Sequence, residues 1–249
     1  MTLTQETVPQ RPGSEAHTDS AAAYIPDQSR AERKTSYDVA DFAVPGGREE
    51  EWRFTPVDRL AGLFQVDPTD ESRVTLDISA PQGVVIGEAK AGDSVFGSVM
   101  RPADRAAAAA WAGAEKATLV TIENDAELGE PVRITITGHS EQGSRPPRVN
   151  DHLIVDAGRF SKATVVLTHK GSAECAANVE LRVGDGADLT FVTVQEWDDD
   201  AIHLAQTEPL VGRDATLRAH TRPTGGGRVR GCANTRAPAP GAAPAGLRG

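Results

Sequence analysis

Cysteine and aromatic residues are scarce in this 249-residue chain, and acidic residues are missing from its last stretch. The two cysteines, Cys175 and Cys232, are too few and too far apart for a disulfide framework. Acidic residues outnumber basic ones, 36 to 26, for a formal charge of −10. That balance argues against a nucleic-acid binder, which needs a basic face to displace counterions, and against docking on anionic lipid. No apolar run approaches the roughly 20 residues of a spanning helix. Residues 1–20 carry neither a basic nor an apolar leader pattern, so the cytoplasm is the expected compartment. No phosphate loop, dinucleotide loop or Gly-x-Ser-x-Gly elbow is present. The chain is therefore expected not to be an enzyme.

What the sequence has instead is a repeat. Val183-Gly184-Asp185-Gly186-Ala187-Asp188-Leu189 returns 28 positions later as Val211-Gly212-Arg213-Asp214-Ala215-Thr216-Leu217. A looser copy, Val155-Asp156-Ala157-Gly158-Arg159-Phe160, lies 28 positions earlier, and Leu128-Gly129-Glu130 echoes it off register. Between the turns run strand-like segments, 164–168, 179–183 and 189–194. A fixed period of this size marks a solenoid, in which each unit stacks its apolar residues on the next. The repeat predicts that Val155, Val183 and Val211 stack in successive coils. It also predicts Gly184 and Gly212 at equivalent corners, where glycine permits a positive φ.

Four segments follow. Residues 1–43 are polar and predicted disordered. Residues 44–122 read as a small α+β domain. It has a first helix capped by Thr55 with Pro56 at its first position, strands at 74–78 and 84–86, and an alanine-rich helix over 105–117. Residues 123–218 form the β-solenoid core, with an exposed loop at 138–147. Residues 219–249 hold five arginines but no Asp or Glu, and read as a low-complexity disordered tail in which the coil stops in mid-repeat.

Few side chains suggest chemistry. His169, Cys175 and His203 are the candidate metal ligands, but their spacing matches no Cys-x-x-Cys or paired-His pattern. The preferred reading makes Cys175 a small core residue and the histidines solvated, so no metal site is assigned. Asp198, Asp199 and Asp200 could suggest a calcium site or a glycosidase-type acid pair, but consecutive acids on an extended chain point in different directions. No catalytic residue is assigned. Trp52 and Arg53 are read as packing at the first helix more than as a partner anchor.

Several ordered motifs resemble one family. Glu50-Glu51-Trp52-Arg53-Phe54-Thr55-Pro56 with Asp58-Arg59-Leu60 resembles the N-terminal signature of the SufD branch of the SufB/SufD family. Gly158–Leu167, Asn178–Ala187, Gln195–Asp200 and Gly212–Ala215 continue the likeness, which spans roughly residues 44–218. The resemblance implies a mainly β fold: an incomplete right-handed parallel β-helix behind a small α+β N-terminal domain. It implies a scaffold subunit of the Suf iron–sulfur cluster assembly complex, acting with SufB-like and SufC-like partners. The family's ATPase-docking helices and its late histidine match no position here, so the chain reads as truncated or frame-disrupted. Clusters are held by several thiolates, so this chain alone is expected to hold none and could only share one with a partner. The alternatives are a cytoplasmic β-helix enzyme acting on carbohydrate, and a truncated product without independent function.

Overall fold

The computed structural model describes residues 34–49, 52–53, 55–141, 143–223 and 228–233, with the backbone alone for Pro223 and the last segment. The described residues from 35 onward form one compact unit. Eleven strands dominate its described part: β1 (Val74–Ser79), β2 (Val84–Lys90), β3 (Lys116–Ile122), β4 (Val132–Gly138), β5 (Arg148–Ala157), β6 (Lys162–Gly171), β7 (Glu174–Val183), β8 (Asp188–Trp197), β9 (Ile202–Val211), β10 (Thr216–Pro223) and β11 (Arg228–Ala233). Two short helices precede and interrupt them, α1 (Val57–Leu60) and α2 (Arg105–Gly113).

From β3 onward the chain alternates between two sheets. One sheet is ordered β1-β4-β6-β8-β10 and the other β11-β9-β7-β5-β3-β2. All neighbours are parallel except one terminal pair in each, β1 with β4 and β2 with β3. The fold is thus mainly β and β-helix-like, with two sheets face to face that do not close into a full solenoid. Residues 44–122 are not walled off from the coil, because β1 and β2 extend its sheets.

Most of the interior between the sheets is apolar. Ile134, Leu153, Val165, Leu167, Leu181, Leu189 and Phe191 are almost fully buried there, each contributing about 1.5–3 kcal/mol by leaving water. The sheets differ in their outer faces. β4 and β6 alternate buried and more exposed positions, whereas β5 and β7 are buried along nearly their whole length. Parallel strands covered on both sides lose the alternation. The cover is α2, whose Ala106–Ala110 are all buried, together with Trp52, Leu60, Leu63 and Phe64. Alanine suits this face because a small side chain lets the helix lie close. Asp104 caps α2 by accepting from the Ala107 amide at 2.8 Å.

Several expectations are corrected. The register pairs Ala157 with Val183 and Val183 with Val211, while Val155 sits against Leu181. The repeat is therefore 26 residues and then 28. The turn between β6 and β7 is Ser172-Ala173, and the next, between β8 and β9, is Asp198–Ala201, two residues longer. The corner glycines are equivalent as predicted: the amides of Gly158, Gly184 and Gly212 donate to Ile122, Ala157 and Val183. Their requirement is close approach, however. A Cβ on Gly184 would lie 2.8 Å from the Arg159 amide nitrogen, and one on Gly158 2.7 Å from the Ile122 carbonyl oxygen. Positive φ falls two residues later, at Phe160, Gly186 and Asp214.

The ends of the described region also differ from expectation. Residues 35–43 are mostly exposed but are held to the unit, with the Tyr37 ring tilted 4.7 Å from that of Trp111 and its hydroxyl donating to the Met100 carbonyl at 2.9 Å. Past Arg218 the coil continues through β10 and β11, which pair with β8 and β9. Backbone ladder bonds from the previous rung suffice to order these segments despite their Gly and Arg content. Residues 1–33 and 234–249 lie outside the described residues. α1 begins at Val57 with no side-chain cap, so Thr55 does not cap it. α2 stops at Gly113, because Ala117 belongs to β3.

Candidate functional site

His169, Cys175 and His203, far apart in sequence, meet inside the coil. Their ligand atoms all lie within 4.8 Å of one another. Cys175 and His203 are register partners on β7 and β9, and His169 reaches them from β6 in the facing sheet. The histidines are not solvated: His169 and His203 are each 1% exposed and Cys175 is fully buried. This corrects the solvated-histidine reading. Sequence-local motifs missed the group because a coil separates neighbours by its period, here the 28 residues between Cys175 and His203.

Two further side chains complete the group. Trp197 donates Nε1–H to His203 Nδ1 at 3.1 Å, which leaves the proton of neutral His203 on Nε2. Asp151, on the inner face of β5, places Oδ2 3.7 Å from His169 Nε2. The rings of His169 and His203 lie 4.6 Å apart. Both nitrogens of His169, Nε2 of His203 and Oδ2 of Asp151 have no hydrogen-bond partner. Burial pushes the Cys175 thiol well up, with the Asp151 charge adding to it and Arg148 opposing. Burial, and then the charge of His169, push His203 well down. At neutral pH the group holds a thiol and a neutral His203 in an apolar core. Orphaned polar atoms in such a place cost about 1–3 kcal/mol each.

A second buried polar group lies on the outer face of the same sheet. The Glu180 carboxylate accepts from the amides of Gly97, Val99 and Met100 at 2.8–2.9 Å and contacts His152 Nε2 at 2.9 Å. Phe96 and Trp111 pack on the His152 ring at 4.7 and 5.1 Å. Burial alone pushes the Glu180 carboxyl up. The His152 hydrogen bond, the two amide bonds from Met100 and Val99, and the His152 charge outweigh it and hold the carboxyl below its usual range. Every carboxylate oxygen is engaged, so Glu180 serves to pin the segment before α2.

A cavity of about 550 Å³ opens beside the first coils, lined by Leu76, Glu88, Lys116, Ile136, Val149 and Asp151 among others. Ile136 and Val149 are the register partners of His169 and Cys175. The cavity thus ends one rung from the buried group, with Asp151 in its wall. Asp198, Asp199 and Asp200 are exposed in the longer turn between β8 and β9. Trp52 packs edge-on against Phe64 at 5.3 Å, in keeping with a structural role, while Phe54 lies outside the described residues. Asp151, His152 and Glu180 carried no motif that sequence reading could weigh.

One thiolate and two imidazoles do not supply the thiolate-rich set of an iron–sulfur cluster. They do fit a single divalent transition-metal ion, for which Cys sulfur and His nitrogen are the usual donors.

The sequence finds counterparts among known proteins. Residues 138–244 match the family model described as "SUF system FeS cluster assembly, SufBD core domain". An iron–sulfur cluster assembly SufBD family protein of Mycobacterium leprae is 40% identical over 206 residues, 83% of this chain and 52% of the relative. One of Mycobacterium tuberculosis H37Rv is 39% identical over 208 residues, 84% of this chain and 51% of the relative. The chain spans about half the length of the curated relatives it matches. The chain belongs to the SufBD family, with the SufBD core match on the strands that hold the buried group. No helix among the described residues is long and apolar enough to cross a membrane.

Proposed function

We propose that this chain is a non-enzymatic scaffold subunit of the SufD type in a Suf assembly complex, working in the cytoplasm with a SufB-like subunit and a SufC-like ATPase. The observation that carries the reading is the coincidence of the SufBD core match, residues 138–244, with the regular coils from β5 to β11. Parallel rungs with a fixed backbone register offer a rigid edge for a partner coil. The SufD assignment rests on Glu50–Leu60. The absence of a phosphate loop from the whole sequence supports the division of labour, in which the ATPase partner supplies the motion. Any cluster built on such a complex is cargo, shared with the SufB-like partner.

Co-expression with the SufB- and SufC-type proteins of the same genome tests the proposal. Co-purification of this chain in a defined complex supports it. Recovery of a SufB–SufC complex that excludes this chain, at matched expression, contradicts it.

A further inference from the structure

We propose that His169, Cys175 and His203 form a binding site for one divalent transition-metal ion, such as Zn2+ or Fe2+, loaded through the cavity at Asp151. The site stands on its own geometry and does not rest on the scaffold reading.

Three observations carry it. The donors are of the right kind and converge from three strands to within 4.8 Å. They sit at the end of the apolar core, with Ile136 and Val149 as the register partners of His169 and Cys175 on the preceding rung. Both ring nitrogens of His169 and Oδ2 of Asp151 are buried without hydrogen-bond partners. A thiolate–imidazole site needs S···N separations of roughly 3.5 Å, so the side chains close inward by about 1 Å on the ion. Side-chain rotation supplies that without disturbing the ladder.

The chemistry balances simply. Cys175 loses its proton to solvent as Sγ binds the cation. His203 presents the lone pair of Nδ1, which now accepts from Trp197, so the ion displaces the Trp197 N–H. Asp151 beside His169 Nε2 favours the proton on that nitrogen and frees Nδ1 for the ion, the arrangement in which a carboxylate orients a metal-bound imidazole. The fourth position remains open for a water molecule or an incoming group.

Metal titration of the full chain tests the assignment. The protein is stripped with chelator under reducing conditions and carries Cys232→Ser, so that Cys175 is its single thiol. Co2+ is the probe. One equivalent should bind with a thiolate-to-cobalt charge-transfer band and change the intrinsic fluorescence. Trp197→Phe should keep the band and lose most of the fluorescence change. His169→Gln and Cys175→Ser should each weaken Zn2+ binding at least about 100-fold, and Asp151→Asn about 10–100-fold. Cys175→Ser should also abolish the band. Circular dichroism of the metal-free variants separates loss of a ligand from loss of fold. If one variant does not fold, the wild-type spectrum and the remaining variant decide. Failure of the wild type to take up one equivalent, a band that survives Cys175→Ser, or unchanged affinity in folded His169→Gln would overturn the proposal.

Discussion

Glu180 and His169 are both buried and polar, one on the outer and one on the inner side of the same coil, yet their hydrogen bonding differs. Around Glu180, three backbone amides and His152 meet two carboxylate oxygens, and only Nδ1 of His152 is left without a hydrogen-bond partner. Around His169, both ring nitrogens are left without a hydrogen-bond partner, and His203 and Asp151 each leave an atom without one. A satisfied group fixes structure, whereas an orphaned one weakens the fold that carries it and calls for another reason to be there. The comparison separates a structural device from a candidate binding site without reference to either residue's identity.

The largest effect should come from breaking the satisfied group. Glu180→Ala leaves three amides unmatched under α2 and should cost about 3–5 kcal/mol in denaturant unfolding. Gly184→Ala tests the rigidity of the scaffold beneath both groups. Its Cβ would strike the Arg159 amide and Ala157 carbonyl, for a loss of about 1–3 kcal/mol. Retained stability in either variant would show that these contacts can be rebuilt elsewhere.

The two groups should also separate by pH. His203, buried beside His169, Cys175, Asp151 and Trp197, has a folded pKa below its unfolded value. The unfolded chain then binds the extra proton first, so stability should fall as pH drops below about 6.5, by up to about 1.4 kcal/mol per unit. Glu180 also has a depressed folded pKa, and its contribution is present above about pH 4.3 and lost as pH falls through the folded value. Unfolding between pH 7 and 3 should show two descents. Replacing His203 with Gln should remove the upper one, and replacing Glu180 with Gln the lower. A smaller change is expected from Trp197→Phe, about 1 kcal/mol for one buried hydrogen bond.

How much of this was legible in the sequence depends on scale. The corners were legible, because Val-Gly-Asp turns recur and a stacked backbone admits only glycine at Gly158, Gly184 and Gly212. The change of period was not, since two extra residues in the Asp198–Ala201 turn lengthen the repeat from 26 to 28 without changing the motif. The buried group was half legible. Its three residues stood out by type, and Cys175 and His203 stand one 28-residue turn apart, but facing across sheets is a property of the coil and not of local spacing. Strands β10 and β11 were hidden because composition describes side chains, while their order comes from ladder bonds to β8 and β9.

Equilibrium urea unfolding of metal-free His169→Leu, set beside Glu180→Gln, tests the contrast most directly. An apolar side chain of similar reach at His169 removes two orphaned nitrogens from an apolar core. The variant should be as stable as the parent or more stable by about 1–2 kcal/mol, while Glu180→Gln should lose stability. A loss of several kcal/mol in His169→Leu would mean that the inner group holds the coil together as the outer one does, and the distinction between them would not stand.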